Sequence, residues 1–185
     1  NAEGMYNVGS CYFKGEGVKK DRSKGFEWFM KSANCGSDHA MKRVAFCYDE
    51  GCGVKKDKSK AFEWFEKAAN SGDKDAMYYV GCFYSDGEGV AKDKTKAFEW
   101  FEKAAQKGHA EAAYMVGKCY HHGSGVTKDH QKAEEFYSKA ESLGCDKGKS
   151  FLKKRRRERE KTLCANPLYE FDDDDMSIPS DDAFI

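Results

Sequence analysis

Proline is nearly missing from this chain: 185 residues hold two, Pro167 and Pro179, both close to the C-terminal end. Proline breaks a helix by removing a backbone donor and clashing with the preceding turn, so nothing before Pro167 interrupts helical segments. No apolar run approaches the roughly 18 residues that a membrane-spanning helix needs, which excludes a spanning segment of that kind. Net charge is absent as well, with 32 basic against 32 acidic residues. There is no Cys-x-x-Cys pair, no Asn-x-Ser/Thr acceptor and no His-Glu-x-x-His pair of metal ligands. The first residue, Asn1, follows no charged-then-apolar leader, so the chain reads as a fragment without a visible targeting segment, the C-terminal module of a longer protein. Aromatic residues, at 14%, are too plentiful for a disordered chain.

The zero net charge conceals an asymmetry. Residues 149–161 carry eight basic and two acidic side chains, and residues 162–185 carry seven acidic and no basic ones. The remaining 24 basic and 23 acidic groups leave residues 1–148 almost neutral. A folded part without a basic field argues against nucleic acid as its partner.

The dominant feature is self-similarity at an offset of 36 residues. Trp28, Trp64 and Trp100 fall in register, with Phe136 in the fourth place. Gly15/Gly17, Gly51/Gly53, Gly87/Gly89 and Gly123/Gly125 recur, each pair followed by a valine. Asp21, Asp57, Asp93 and Asp129 come next, then Lys24, Lys60, Lys96 and Lys132, and Gly36, Gly72, Gly108 and Gly144 close the units. Such a fixed period marks an array of stacked supersecondary units, here four: 1–36, 37–72, 73–108 and 109–144, within a repeat domain of residues 1–148. Cys11, Cys47 and Cys119 occupy one repeated position that Phe83 fills in the third unit. A site that takes either residue is an apolar packing site, which favours reduced thiols and a cytoplasmic location.

Each unit reads as two helices. In the third, Ala76, Val80, Phe83 and Tyr84 form one apolar stripe, and Ala97, Trp100, Phe101, Ala104 and Ala105 form a second. Gly87 ends the first helix and Asp93 is placed to cap the second. Gly9, Ala45, Gly81 and Gly117 mark mid-helix points where a neighbour must come close. Two helices alone cannot bury both stripes, so units must stack. The expected fold is all-α: a right-handed α-solenoid of antiparallel helix pairs with a concave groove.

The spelling Ala76-Met-Tyr-Tyr-Val-Gly-Cys-Phe-Tyr-Ser-Asp-Gly-Glu-Gly-Val90, followed by Asp93, Lys96-Ala97, Trp100, Lys103-Ala104-Ala105 and Gly108, resembles the Sel-1-like repeat family, relatives of the tetratricopeptide repeat with a longer Gly-x-Gly-Val loop. The resemblance implies a scaffold or adaptor in signalling or complex assembly. It also brings two alternatives: a cysteine-rich repeat hydrolase of β-lactamase type, with one disulfide per unit, and a noncatalytic regulatory arm fused to or associated with an upstream kinase domain. The regular cysteine pair of the hydrolase branch is missing here.

In helical repeats of this kind the first helix of each unit lines the groove. Register then nominates Tyr6, Lys42, Tyr78 and Tyr114, with Phe46 and Lys118 one position past the mid-helix small residue, as the surface for a partner peptide or helical segment. The plainer alternative is that these tyrosines only cover the seams between helices. Nothing nominates a catalytic residue, a metal or a cofactor. His121 and His122 are adjacent and point to different sides of a helix, the Gly-x-Gly loops lack the lysine of a phosphate-binding loop, and a scaffold residue recurs where an active site occurs once. The chain reads as non-enzymatic.

Beyond the array, residues 149–161 suit a basic capping helix whose Phe151 and Leu152 dock on the last unit. The same stretch offers Lys153, Lys154, Arg155, Arg156 and Arg157 as a nuclear-import or nucleic-acid patch, which adds the nucleus as a second location. Residues 162–185 read as an acidic disordered tail. In it, Asn166, Pro167 and Tyr169 match an Asn-Pro-x-Tyr turn, and Ser180 precedes two aspartates as an acid-preferring kinase requires.

Overall fold

The computed structural model describes residues 1–165, and they form helices joined by short loops. Four pairs follow one another: α1 Ala2–Lys14 with α2 Arg22–Asn34, α3 Asp38–Glu50 with α4 Lys58–Asn70, α5 Lys74–Asp86 with α6 Lys94–Gln106, and α7 Ala110–His122 with α8 His130–Ser142. A last helix, α9, spans Asp146–Ala165. Each helix packs on the next in the chain, giving an α-solenoid of paired helices.

Local chemistry sets the ends of every helix. The side chains of Asp21, Asp57, Asp93 and Asp129 accept from the backbone N–H of Lys24, Lys60, Lys96 and Lys132 at 3.0 to 3.1 Å, satisfying a donor that the helix itself leaves open. The same aspartates donate their own N–H to the carbonyls of Tyr12, Tyr48, Tyr84 and Tyr120 at 2.8 to 2.9 Å, which folds each loop back on the helix it leaves. Gly15, Gly51, Gly87 and Gly123 end the first helices with φ between 68° and 86°.

In the second, third and fourth pairs the second glycine does a different job. A β-carbon on Gly53, Gly89 or Gly125 would run into the backbone of Arg22, Lys58 or Lys94, at the start of the second helix of the unit before. The bare glycine therefore lets each of these loops sit on its neighbour's helix start, backbone against backbone.

Within a pair, the mid-helix glycine decides how the aromatic ring of the second helix lies. A β-carbon on Gly9, Gly81 or Gly117 would come 2.8, 2.6 or 2.8 Å from the ring of Phe29, Phe101 or Tyr137. Those rings lean on Tyr6, Tyr78 and Tyr114, with centroids 5.5, 5.8 and 5.5 Å apart. The second unit differs, carrying Ala45 and, in the tyrosine's place, Lys42. There the ring of Phe65 packs edge-on to Phe46 at 5.1 Å and stacks on Tyr79 of the next unit at 4.9 Å. Val44, Val80 and Val116, with the alanines of α4 and α6, complete a continuous core.

α9 closes the array. Leu152 is buried, and Phe151 lies 4.0 Å from the ring of Tyr137 and 5.7 Å from that of His121. The helix begins at Asp146 rather than 149 and runs through Ala165, so residues 162–165, read from sequence as the start of a tail, are helical. Asn166, Pro167, Tyr169 and Ser180 lie outside the described residues.

Candidate protein-interaction cleft

A cleft of about 420 Å³ opens along the row of first helices, lined by Lys42 and Phe46 of α3, Asp75, Tyr78 and Tyr79 of α5, and His109 and Glu111 at the start of α7. It crosses three consecutive units. It lies where the second unit departs from its sisters, with Lys42 where they have tyrosine and with Phe65, beside Ala45, stacked on Tyr79 of the next unit.

The aromatic walls meet at steep angles. Tyr79 stands edge-on to Phe46 at 5.0 Å and 86°, and to Tyr78 at 5.5 Å and 68°. Tyr78 in turn stacks on His109, 4.7 Å away at 14°. His109 is fixed because it caps α7: its Nδ1 accepts from the backbone N–H of Ala112 at 3.1 Å, a role that Ser37 and Asp73 play in α3 and α5. An accepting Nδ1 carries no proton, and burial holds the imidazole below its ordinary pKa, against the opposing pull of Glu111 and Asp75.

Lys42 does not project as a free cation. Its Nζ lies 2.8 Å from Asp73 and 2.9 Å from Asp75, and only 14% of its side chain is exposed. Burial pushes its pKa down, but the hydrogen bonds to both aspartates outweigh that and leave it raised. The Lys42 bond in turn holds the Asp75 carboxyl below its usual range. Asp73, Asp75 and Glu111 thus surround Lys42. Lys74, whose Nζ donates to the Gly108 carbonyl at 3.1 Å, lies close enough to act on Asp75 and His109. The cleft therefore keeps a net negative charge once His109 is neutral.

Of the six residues nominated by register, the cleft brings together Lys42, Phe46 and Tyr78. Tyr6, which packs on Phe29 and lies 6.4 Å from His39, and Tyr114, which packs on Tyr137, lie outside the cleft. Lys118, half-buried on α7, lies outside the cleft. Asp75, Tyr79, His109 and Glu111 were not nominated. Asp75 and Glu111 share one repeat position, six before the mid-helix glycine, and His109 is the odd member of the capping series Asn1, Ser37, Asp73, His109. Both signals were present in the sequence.

The basic run on α9 is not displayed as a run. Lys153, Lys154, Arg156 and Arg157 are exposed, but Arg155 is 4% exposed and its Nε donates to Glu134 at 3.3 Å. Arg155 follows Leu152 by three residues, which places it on the docked face. Beside it His121 is 5% exposed, with ring centroids 4.8 Å from His122 and 5.1 Å from His130. Burial, then the nearby His122, His130, Arg155 and Lys128, bring the His121 pKa down to about 4.

Among the described residues no group of three or more His, Cys, Asp or Glu side chains could hold a metal ion, and no helix is long and apolar enough to cross a membrane. Their cysteines are free thiols, and burial pushes Cys47, Cys82 and Cys119 up to about 11, which keeps them protonated and poorly nucleophilic.

The family model of the Sel1 repeat matches residues 2–37, 38–73, 74–109 and 110–145. Among solved structures, a Sel1 repeat protein from Oxalobacter formigenes is 35% identical with a TM-score of 0.78, over 83% of this chain and 63% of that one. A protective antigen of uropathogenic Escherichia coli, displaying an SLR fold, is 30% identical with a TM-score of 0.76, over 78% of this chain and 31% of its own. The chain thus spans less than two thirds of either protein's length. Helicobacter pylori cysteine rich protein B, at 24% identity and a TM-score of 0.57, covers 72% of this chain with 96% of its own and shares the fold. No curated protein matches by sequence.

Proposed function

Because the chain belongs to the Sel1 repeat family, we propose that it is a noncatalytic protein-interaction scaffold that holds a partner segment on the row of first helices, at the cleft of the second to fourth units. The observation that carries this reading is the cleft itself. Three aromatic side chains meet at steep angles beside the carboxylates of Asp75 and Glu111, in a depression of about 420 Å³. Aromatic side chains with a polar edge give large contact area at little entropic cost, the pattern of interaction hot spots. The noncatalytic reading rests on protonated, buried thiols and on side chains that recur from unit to unit. Thiols without disulfide partners also suit a reducing compartment, which favours a cytoplasmic adaptor in complex assembly or signalling.

The test is selection of peptide ligands from a displayed random library, followed by NMR mapping of the bound peptide on the isotope-labelled chain. Shifts concentrated at Phe46, Tyr78, Tyr79 and Glu111, and loss of binding in a folded Tyr79→Ala variant, are the expected result. Peptides that map to the exposed face of α9, and bind the variant unchanged, would move the interaction surface there.

A further inference from the structure

We infer that the cleft selects a partner segment by an arginine side chain, which lies against the aromatic walls and is held by Asp75 and Glu111. This inference rests on the cleft being the interaction surface and names the chemistry that fills it.

Charge comes first. Lys42 is satisfied from within, by Asp73 and Asp75, and therefore cannot repel an incoming cation strongly or supply one to an incoming anion. The hydrogen bond from Lys42 engages Oδ2 of Asp75 and leaves Oδ1, which has the neutral His109 at 3.8 Å. The Glu111 carboxylate is 57% exposed, and that same neutral imidazole lies 3.7 Å from it. Glu111 and Oδ1 of Asp75 thus face the opening without an ion pair to a lysine or arginine, although Asp75 is held by Lys42 through Oδ2 and feels the nearby Lys74. A partner's carboxylate or phosphate would be repelled there; a cation would be drawn in.

Shape then separates arginine from lysine. Phe46, Tyr79 and Tyr78 stand at 86° and 68° to one another, so faces and edges line a corner rather than a flat wall. A planar guanidinium can stack on a ring face while its fork reaches two acceptors, and it is more weakly hydrated than an ammonium. An ammonium already occupies the one compact site for a point charge, between Asp73 and Asp75, and it belongs to Lys42.

The test uses pools of random nonapeptides that differ only in a fixed central residue (Arg, Lys, Gln or Glu), passed over the immobilised full chain at low salt. The Arg pool should be retained about tenfold above the Gln pool, with Lys between them and Glu lowest. Glu111→Lys should erase that order, and Glu111→Gln should halve it on a logarithmic scale, both with circular dichroism unchanged. An Arg preference that survives Glu111→Lys overturns the inference and assigns the attraction to the acidic residues 170–182. Pools retained alike by the wild type, but all lost in Tyr79→Ala, also overturn it while leaving the cleft as the binding surface. Retention that survives Tyr79→Ala overturns the cleft reading as well.

Discussion

Lys42 and Arg155 are both positively charged side chains enclosed by the fold, and their surroundings are built in opposite ways. Between the second and third units, Lys42 meets two carboxylates within 2.9 Å, and a third, on Glu111, stands nearby. Under the fourth unit, Arg155 meets Glu134 at 3.3 Å, among the histidines 121, 122 and 130. After internal pairing the first place is left negative and open, whereas the second is crowded with groups that become cationic on protonation and is closed by Phe151 and Leu152. The same helix-pair geometry therefore yields a surface in one place and a lid in the other. At the end of the array the rings of Tyr137 and Phe151 pack on each other, whereas beside Lys42 the rings of Phe46, Tyr78 and Tyr79 line an open cleft.

If the junction is held by apolar closure, Leu152→Ala should be the most damaging change, at about 3 kcal/mol, within the range for truncating a buried leucine. Because a solenoid is stable locally, hydrogen exchange should accelerate in α8 and α9 and stay unchanged in α3 to α6. Acceleration spread evenly over all helices would mean the junction is not a separate unit of stability. At the seam, addition rather than removal should do harm. Gly81→Ala sets a methyl 2.6 Å from the Phe101 ring and should cost about 2 kcal/mol in urea unfolding, unless Phe101 can turn as Phe65 does beside Ala45.

Smaller effects sharpen the electrostatic contrast. Lys42→Met leaves Asp73 and Asp75 facing each other and should cost about 1–2 kcal/mol, part of it recovered by adding Asp75→Asn. Acid should separate the two places further. The His121 pKa is depressed from 6.5 to about 4, so its contribution to stability is fully present above pH 6.5 and is lost as pH falls from there toward 4. The Asp75 carboxyl is depressed instead, so the contribution of its ion pair is present above the ordinary carboxylate value of 3.8 and is lost only below it. Between pH 6.5 and 4.5, amide exchange should therefore quicken in α9 before it does in α3 and α5, and His121→Phe should flatten that response. Least affected of all should be the stability of Glu111→Gln, which is expected to stay within about 0.5 kcal/mol of wild type in the same urea titration.

The repeats, the caps and the helix ends were legible in the sequence because each depends on a few neighbouring residues. A left-handed glycine at Gly87 and a capping aspartate at Asp93 announce themselves locally. The cleft was legible by half. Register located Lys42, Phe46 and Tyr78, but it treats every unit alike, and the cleft lies where one unit differs. Tyr6, Tyr78 and Tyr114 each rest on a ring of the second helix, Phe29, Phe101 and Tyr137. What sets Tyr78 in the cleft is its further packing on Tyr79 and His109, a fact of packing rather than of register. Lys42 read as a displayed charge because its neutralising aspartates lie 31 and 33 residues away in the next unit. Arg155 was legible in principle, since helical periodicity sets it beside Leu152, yet a run of five basic residues drew attention to composition instead of phase.

The glycines that seat each loop on the preceding unit have a bearing on the history of the array. That contact reads only main chain, at Arg22, Lys58 and Lys94, whatever side chains those positions carry. This part of the joint between 36-residue cassettes is therefore indifferent to side-chain identity, whereas Lys42 with Asp73 and Asp75, and Phe65 with Tyr79, tie particular neighbours together. The face of each copy is free to drift, as Lys42 and Ala45 in the second unit and His109 at the start of the fourth illustrate.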